Sequence, residues 1–177
     1  MVKKLLKFFA YFLFFIFALI AFLPKTNLYY LAEKNIKPLG VVISDEQIDE
    51  HLFSLELKHS QLSFQGVDSA KIDELEIRLF AFYNTIEAKN ILLSSMASSF
   101  VPLRIKEAKV SYSVIDPLHI KLYAKGEFGE IRGAINLKEK RLTSVLHPSK
   151  LMLSRYQNTL REFKKDKKGG YRYDQAF

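Results

Sequence analysis

The chain has 177 residues, a formal net charge of +8 from 27 Lys and Arg against 19 Asp and Glu, and no cysteine. That length suffices for one domain and an anchor, and the roughly 150 residues beyond the first 25 can bury a core without covalent staples. The missing cysteine excludes disulfides, thiolate metal sites, cysteine nucleophiles and a lipid-modified cysteine anchor, and leaves the compartment open.

The apolar segment comes first. Phe8 to Leu23 reads FFAYFLFFIFALIAFL, with the Tyr11 hydroxyl as its one polar side-chain group. Those sixteen residues make about 24 Å of helix. Leu5 and Leu6 lengthen it to about a full crossing if Lys7 snorkels to the headgroups, and Pro24 ends it. Lys3, Lys4 and Lys7 precede the run and Lys25 alone follows closely. The positive-inside rule therefore predicts a short cytoplasmic N-terminus (1–7), a transmembrane helix (8–23) and a domain on the far side of the membrane. A cleaved signal peptide is the competing expectation. The run is longer than a usual signal core, and Leu19 stands where a small residue would precede a cut after Ala21. Ala18 and Ala21 are small enough to pack closely on another membrane helix, although lipid exposure explains them equally well.

The flanking lysines removed, 23 basic residues face 19 acidic ones, a net +4. That excess is too mild to mark a nucleic-acid-binding domain. Residues 25–38 read as a juxtamembrane helix capped by Thr26 or Asn27, with interfacial tyrosines. Pro38 and Gly40 break it. Strand patterning then runs from 39 to 148. Val41 and Ile43 alternate, and Ser44-Asp45-Glu46-Gln47 predicts a capping box and one helical turn. Phe53, Leu55 and Leu57 alternate, as do Leu62 and Phe64, before a turn at Gly66. Leu75, Ile77, Leu79, Ala81 and Tyr83 keep period two and predict the clearest strand. Ile91 to Phe100 reads as a short helix or an apolar loop. Ile105, Ala108, Val110, Tyr112 and Val114 predict a strand with a slip after Ile105, and Asp116-Pro117 a turn. Leu118 to Ala124, Ile131 to Leu137 and Leu142 to Leu146 complete an antiparallel meander.

Pro148-Ser149 opens a predicted amphipathic helix over 149–165, with Leu153, Tyr156, Leu160 and Phe163 as its sheet-facing stripe. Residues 166–177 read as a flexible basic tail, in which Tyr171 and Tyr173 could add an edge strand. Lys164, Lys165, Lys167, Lys168 and Arg172 are its candidate anionic-surface contacts. A solvated run is the plainer reading, and anionic lipid suits it as well as nucleic acid. There is also an internal echo. Leu57-x-x-Ser60-x-Leu62-x-Phe64 parallels Ile105-x-x-Ala108-x-Val110-x-Tyr112, hinting at a repeated β unit.

Chemistry-bearing motifs are scarce. His51, His59, His119 and His147 lack helical metal-ligand spacing. Asp45, Glu46, Asp49 and Glu50 lack the alternation and glycine of a calcium loop and read as a solvated helix start. No serine sits in a glycine-flanked nucleophile turn, and Gly126-Glu127-Phe128-Gly129 is too short for a phosphate loop. The sequence therefore predicts no enzyme, no metal and no cofactor.

The anchor ending in Leu-Pro, the entry Leu62-Ser63-Phe64-Gln65-Gly66, the run Ile72 to Leu79 (IDELEIRL), and the glycines of Gly126-Glu127-Phe128-Gly129 and Gly133-Ala134-Ile135-Asn136-Leu137 form a pattern. It resembles the type II secretion system protein N family and, through it, the AsmA-like proteins. The C-terminal helix and basic tail lie outside that pattern. The resemblance implies a mainly β fold whose antiparallel meander is curved like a trough. It also implies a non-enzymatic inner-membrane accessory of a type II secretion-like machine, with a periplasmic domain. Related machines assemble pili or take up DNA in transformation. Its partners would be other subunits of that apparatus, bound at a sheet face or by strand addition to an exposed edge.

The alternative expectation is a lipid-binding trough lined by Leu75, Ile77, Leu79, Leu118, Ile120, Leu122, Ile131 and Ile135. The plainer account makes those residues a core covered by the C-terminal helix. Whether that helix covers them separates the two.

Overall fold

The computed structural model of the protein describes residues 2–80, 82–166 and 169–177. Helix α1 (Val2–Ala21) has 20 residues, none of them buried. It is about 30 Å long, the thickness of a bilayer's hydrocarbon core, and is long and apolar enough to cross a membrane. Lys25 closes its end. The Nζ donates to the carbonyls of Leu23 (3.1 Å) and Ala21 (3.5 Å), satisfying acceptors that a helix terminus leaves unpaired.

Helix α2 (Lys25–Ile36) follows directly and ends in a 3-10 turn, Lys37–Leu39. Gly40 then takes φ +83° against Gln65, a conformation that suits glycine. The cap expected from Thr26 or Asn27 is not made. Pro24 holds the cap position without a side-chain bond, and the Glu50 carboxylate reaches in from a neighbouring strand to accept from the N–H groups of Lys25 and Thr26, both at 3.1 Å.

The described residues beyond α2 build one curved, unclosed antiparallel sheet, so the fold is mainly β. Strands β1 (Val41–Ser44) and β2 (Gln47–Glu50) both pair with the same edge of β3 (Ser54–Phe64). The helical turn expected at Ser44–Gln47 is replaced by Asp45 at φ +62°, a left-handed residue of the kind aspartate tolerates. Next come β4 (Val67–Leu79), β5 (Tyr83–Leu93), β6 (Arg104–Ser113), β7 (Asp116–Gly126), β8 (Gly129–Asn136) and β9 (Arg141–Pro148), each paired with the next.

The expected strand Leu75–Tyr83 is cut by a turn after Leu79, and β4 instead extends back to Val67. Ala81 lies outside the described residues. β5 takes in Ile91 to Leu93, and only Ser95–Ser99 forms a 3-10 turn.

Two further expectations are corrected at the C-terminus. The single helix over 149–165 is two short ones, α3 (Lys150–Arg155) and α4 (Gln157–Leu160), broken at Tyr156. Asn158 and Thr159 are weak helix formers, and the Thr159 hydroxyl donates to the Phe100 carbonyl instead (2.6 Å). The tail's residues from Tyr171 to Ala176 form a strand. β10 (Lys164–Lys165) pairs with β11 (Tyr171–Ala176), which pairs with β9, because Tyr171 and Tyr173 face Leu146 and Ser144 across the ladder.

The two sheet faces separate by chemistry. One row reads Lys58, Glu74, Lys89, Glu107, Lys125, Glu130, His147, each in register with the next across β3 to β9. Its charges alternate along the row, and the Lys89–Glu74 pair closes to 2.6 Å. Opposite charges facing one another across a ladder favour the register.

The other face is apolar, and it bends along a line. Leu57, Leu75, Ala88 and Ala108 form one register row and Ser60, Ile72, Ile91 and Ile105 the next. Two residues rather than one separate the rows in every strand, yet both rows serve one core cluster. His59 and Asn90 lie in this gap with φ +56° and +51°. The echo between Leu57-x-x-Ser60 and Ile105-x-x-Ala108 is this shared slip, recorded in two strands. A cleft of about 640 Å³ follows it, lined by Asp73, Asn90 and Lys106 and by Arg104, Lys125 and Glu127.

Candidate functional site

The mainly apolar face extends across the sheet. One register row carries Leu55, Ile77, Ile86, Val110, Leu122 and Gly133. A second carries Leu79, Asn84, Tyr112, Ile120, Ile135 and Leu142. The structure thus brings all eight candidate residues onto one face. Leu75, Ile77 and Leu79 lie in β4, Ile120 and Leu122 in β7, and Ile131 and Ile135 in β8. Leu118 sits at the start of β7, where its carbonyl accepts from Leu137 N–H (2.9 Å).

Sequence reading missed Ile86 and Ala88, because no strand was expected there. It also left out Val110 and Ala108, which sit beyond the slip. Ile86-x-Ala88 followed by Ile91-x-Leu93, with the same one-residue slip, was the available signal.

Two separate clusters cover this face, each at one side. Tyr29 of α2 packs with Leu55, Leu57, Ala70, Ile72 and Leu75 over β3 and β4, and the cluster continues through Ala88 and Ile91 of β5 to Ile105 and Ala108 of β6. The Tyr29 hydroxyl donates to Glu46 (3.1 Å). Burial and then the Glu46 carboxylate push that phenol well above its ordinary value, so it stays a neutral donor. On the other side Met152 and Leu160 pack with Leu146, Ile131 and Tyr171, joined by Val101 from the β5–β6 connection. The broken C-terminal helix therefore covers β9, part of β8 and the β5–β6 connection, at the end of the sheet away from α1.

Toward the α1 end of the sheet the floor is open. Ile86 is 45% exposed, Val110 38% and Leu118 47%, whereas Ile72 and Ile91 in the same sheet are buried. All three exposed residues lie toward the end of the sheet where α1 meets it. Ala88, Ala108 and Ala124 are consecutive in register and keep the floor shallow. Side chains this apolar gain by removal from water, roughly 25 cal/mol per Å², and an open patch of this kind marks a site for a ligand or partner.

The remaining candidate groups are dispersed. His119 Nδ1 lies 2.7 Å from Asp116 Oδ1, and its Nε2 3.3 Å from the Asn136 amide. This brace ties the β6–β7 turn to β8. Asp49 pairs with Lys58, Glu46 serves Tyr29 and Glu50 caps α2, so the acidic run supports α2 from the adjacent strand rather than opening a helix of its own. Among the described residues no group of three or more His, Asp or Glu is placed to hold a metal ion.

Lys164 and Lys165 pair with Arg172 and Tyr171, and Tyr171 pairs with Leu146. This puts them at the end of the sheet away from α1. Lys167 and Lys168 lie outside the described residues. The edges are blunted as well. β1 and β2 are four residues each and β10 two, lengths that discourage strand addition. No family model, curated protein or solved structure matches the chain.

Proposed function

We propose that the protein is a membrane-anchored, non-enzymatic lipid-binding protein. In this reading α1 crosses the inner membrane with its N-terminus in the cytoplasm, and the sheet stands in the periplasm with acyl chains on its open apolar floor. The observation that carries the reading is the exposure of Ile86, Val110 and Leu118 on a face where Leu55, Ile72 and Ile91 are buried. The C-terminal helices, which would have made this face an ordinary core, pack over β8, β9 and the β5–β6 connection and leave these three residues exposed. Lys3, Lys4 and Lys7 ahead of the apolar run support the orientation.

The second reading is the accessory subunit of a secretion, pilus or DNA-uptake machine, as the family resemblance implies. The same floor favours it, because an apolar segment of a partner subunit would bury it as well as a lipid would.

One experiment separates them. The full chain is crosslinked in its native membrane and purified, and bound lipids and proteins are identified by mass spectrometry beside an Ile86→Glu, Val110→Glu double variant. Phospholipid retained by the parent and lost from the variant supports lipid binding. A stoichiometric protein partner lost from the variant, with lipid unchanged, replaces it with the machine-subunit reading.

A further inference from the structure

The antiparallel register fixes which turns share an end of the sheet. β3 starts, β4 ends, β5 starts, β6 ends, β7 starts and β8 ends on one side. The turns there carry Leu52 and Phe53, Phe80 and Phe82, Val114 and Ile115, and Leu137. Phe82 is 61% exposed and Ile115 90%. Tight turns normally hold polar residues, glycine and proline, so consecutive apolar tips at one end need a reason.

These tips are joined to α1. The Phe17 ring meets the Phe53 ring edge-on at 5.5 Å, and Phe53 stacks on Phe80 at 5.6 Å. Leu79 N–H donates to Phe53 O (3.2 Å), and Val114 N–H to Phe82 O (3.0 Å). Phe17 precedes the helix end at Ala21 by four residues, about 6 Å along the axis. A helix seated across a bilayer therefore holds the β2–β3 loop at the depth of its own last turn. Ala18 and Ala21 line an apolar notch of about 450 Å³ between α1 and that loop, with Phe14, Phe17, Leu52 and Phe53.

Cations border the tips. Lys138 and Lys140 follow Leu137 in the β8–β9 turn and are exposed. The opposite end of the sheet also exposes Phe64, Met96 and Phe100. The ten residues of β6 hold that end roughly 30 Å from the bilayer that α1 would cross.

We propose that the α1-proximal end of the sheet is itself a bilayer-contacting surface. The tips Phe80, Phe82, Val114, Ile115 and Leu137 enter the interface of an anionic phospholipid membrane, and Lys138 and Lys140 meet its headgroups. This inference rests on the membrane-anchor reading of α1. Apolar side chains in the headgroup–acyl boundary with cations beside them are the physical pattern of interfacial binding. The contact also sets the uncovered lower end of the lipid floor, at Leu118 and Ile120, directly above the leaflet.

The chain has no cysteine, so single-cysteine variants carry one probe each. Phe82→Cys, Ile115→Cys, Ser98→Cys and Phe14→Cys are labelled with an environment-sensitive fluorophore. The full chain is then reconstituted into phosphatidylglycerol–phosphatidylethanolamine vesicles containing lipids spin-labelled at shallow or deep positions. The expected result is that probes at 82 and 115 lose most of their emission to the shallow label while the probe at 98 keeps its own. Lys138→Glu with Lys140→Glu reduces the quenching at 115, and unchanged quenching overturns the headgroup contact.

Deep quenching at 14 with probes at 82 and 115 behaving like 98 overturns the proposal and leaves the anchor standing. No quenching at 14 removes the anchor reading and the proposal with it. Two tips are probed, so a substitution that fails to fold at one leaves the other to decide.

Discussion

Glu50 and Lys25 meet twice: the Lys25 backbone N–H donates to Glu50 Oε1 at 3.1 Å, and the Lys25 ammonium lies 3.9 Å from the same oxygen. That ammonium also caps the last turn of α1. One carboxylate on β2 thus fixes the elbow between the apolar helix and α2.

The Glu50 carboxyl is held below its ordinary value of 4.5, first by the Thr26 hydroxyl and then by the backbone N–H groups of Thr26 and Lys25. A lowered folded-state value means that its stabilisation is fully present above pH 4.5 and is lost as pH falls through the lowered value. Glu50→Gln should therefore lower the melting temperature at neutral pH, with the gap to the parent closing on acidification. Thermal unfolding across a pH series checks this. A gap that stays constant into acid would mean that the charge is not what holds the elbow.

Ser60 is 1% exposed, and its Oγ has no hydrogen-bond partner. A buried hydroxyl without a partner costs about 1–3 kcal/mol. Ser60→Ala, which reproduces Ala108 at the matching place in the echo, is expected to leave stability unchanged or raise it by about 1 kcal/mol. Urea unfolding that shows a clear loss would reveal a bond the hydroxyl makes in solution.

Leu57 and Ile86 lie on the same apolar face but differ in cover. Leu57 is 0% exposed, so Leu57→Ala should cost about 2–5 kcal/mol through lost transfer energy and a residual cavity. Ile86→Ala should cost well under half of that in lipid-free protein. Lipid binding, followed by the rise in melting temperature on adding phospholipid, should suffer from Ile86→Ala instead. Equal costs would mean that the floor is covered after all.

Lys89 stands between Glu74 and Glu107 in the alternating charge row. Lys89→Glu places three acids in succession, with an expected loss of up to about 1 kcal/mol for a partly exposed site. Adding Glu74→Lys should recover much of it, because the pair is restored in reverse. A double-mutant cycle measures the coupling, and a zero coupling energy would show that the row does not help to set the register.

The sequence by itself determined a good deal. An unbroken apolar run such as Phe8 to Leu23 reads as a membrane anchor, a signal segment or a core helix, since helix exposure in water requires polar residues. Period-two alternation in β3, β7, β8 and β9 placed those strands, because side chains alternate across a pleated sheet whatever surrounds them. The eight candidate floor residues followed from the same rule.

Only the tertiary structure decided the rest. Alternation runs straight through a turn such as that after Leu79, so the end of β4 and the first residue of β5 read as one strand. A left-handed residue within a strand, such as Asn90, puts Ile91 and Leu93 out of phase with Ile86 and Ala88, so no single alternation marks β5. The cap of α2 comes from Glu50, 24 residues beyond Thr26, a distance no local motif spans. How much of the floor Met152 and Leu160 roof depends on where a broken helix lands. The apolar tips at Phe82 and Ile115 are far apart in the chain and become one surface through strand pairing alone. Local rules act over a few residues, whereas cover, bending and shared ends are set by contacts between segments the sequence does not place side by side.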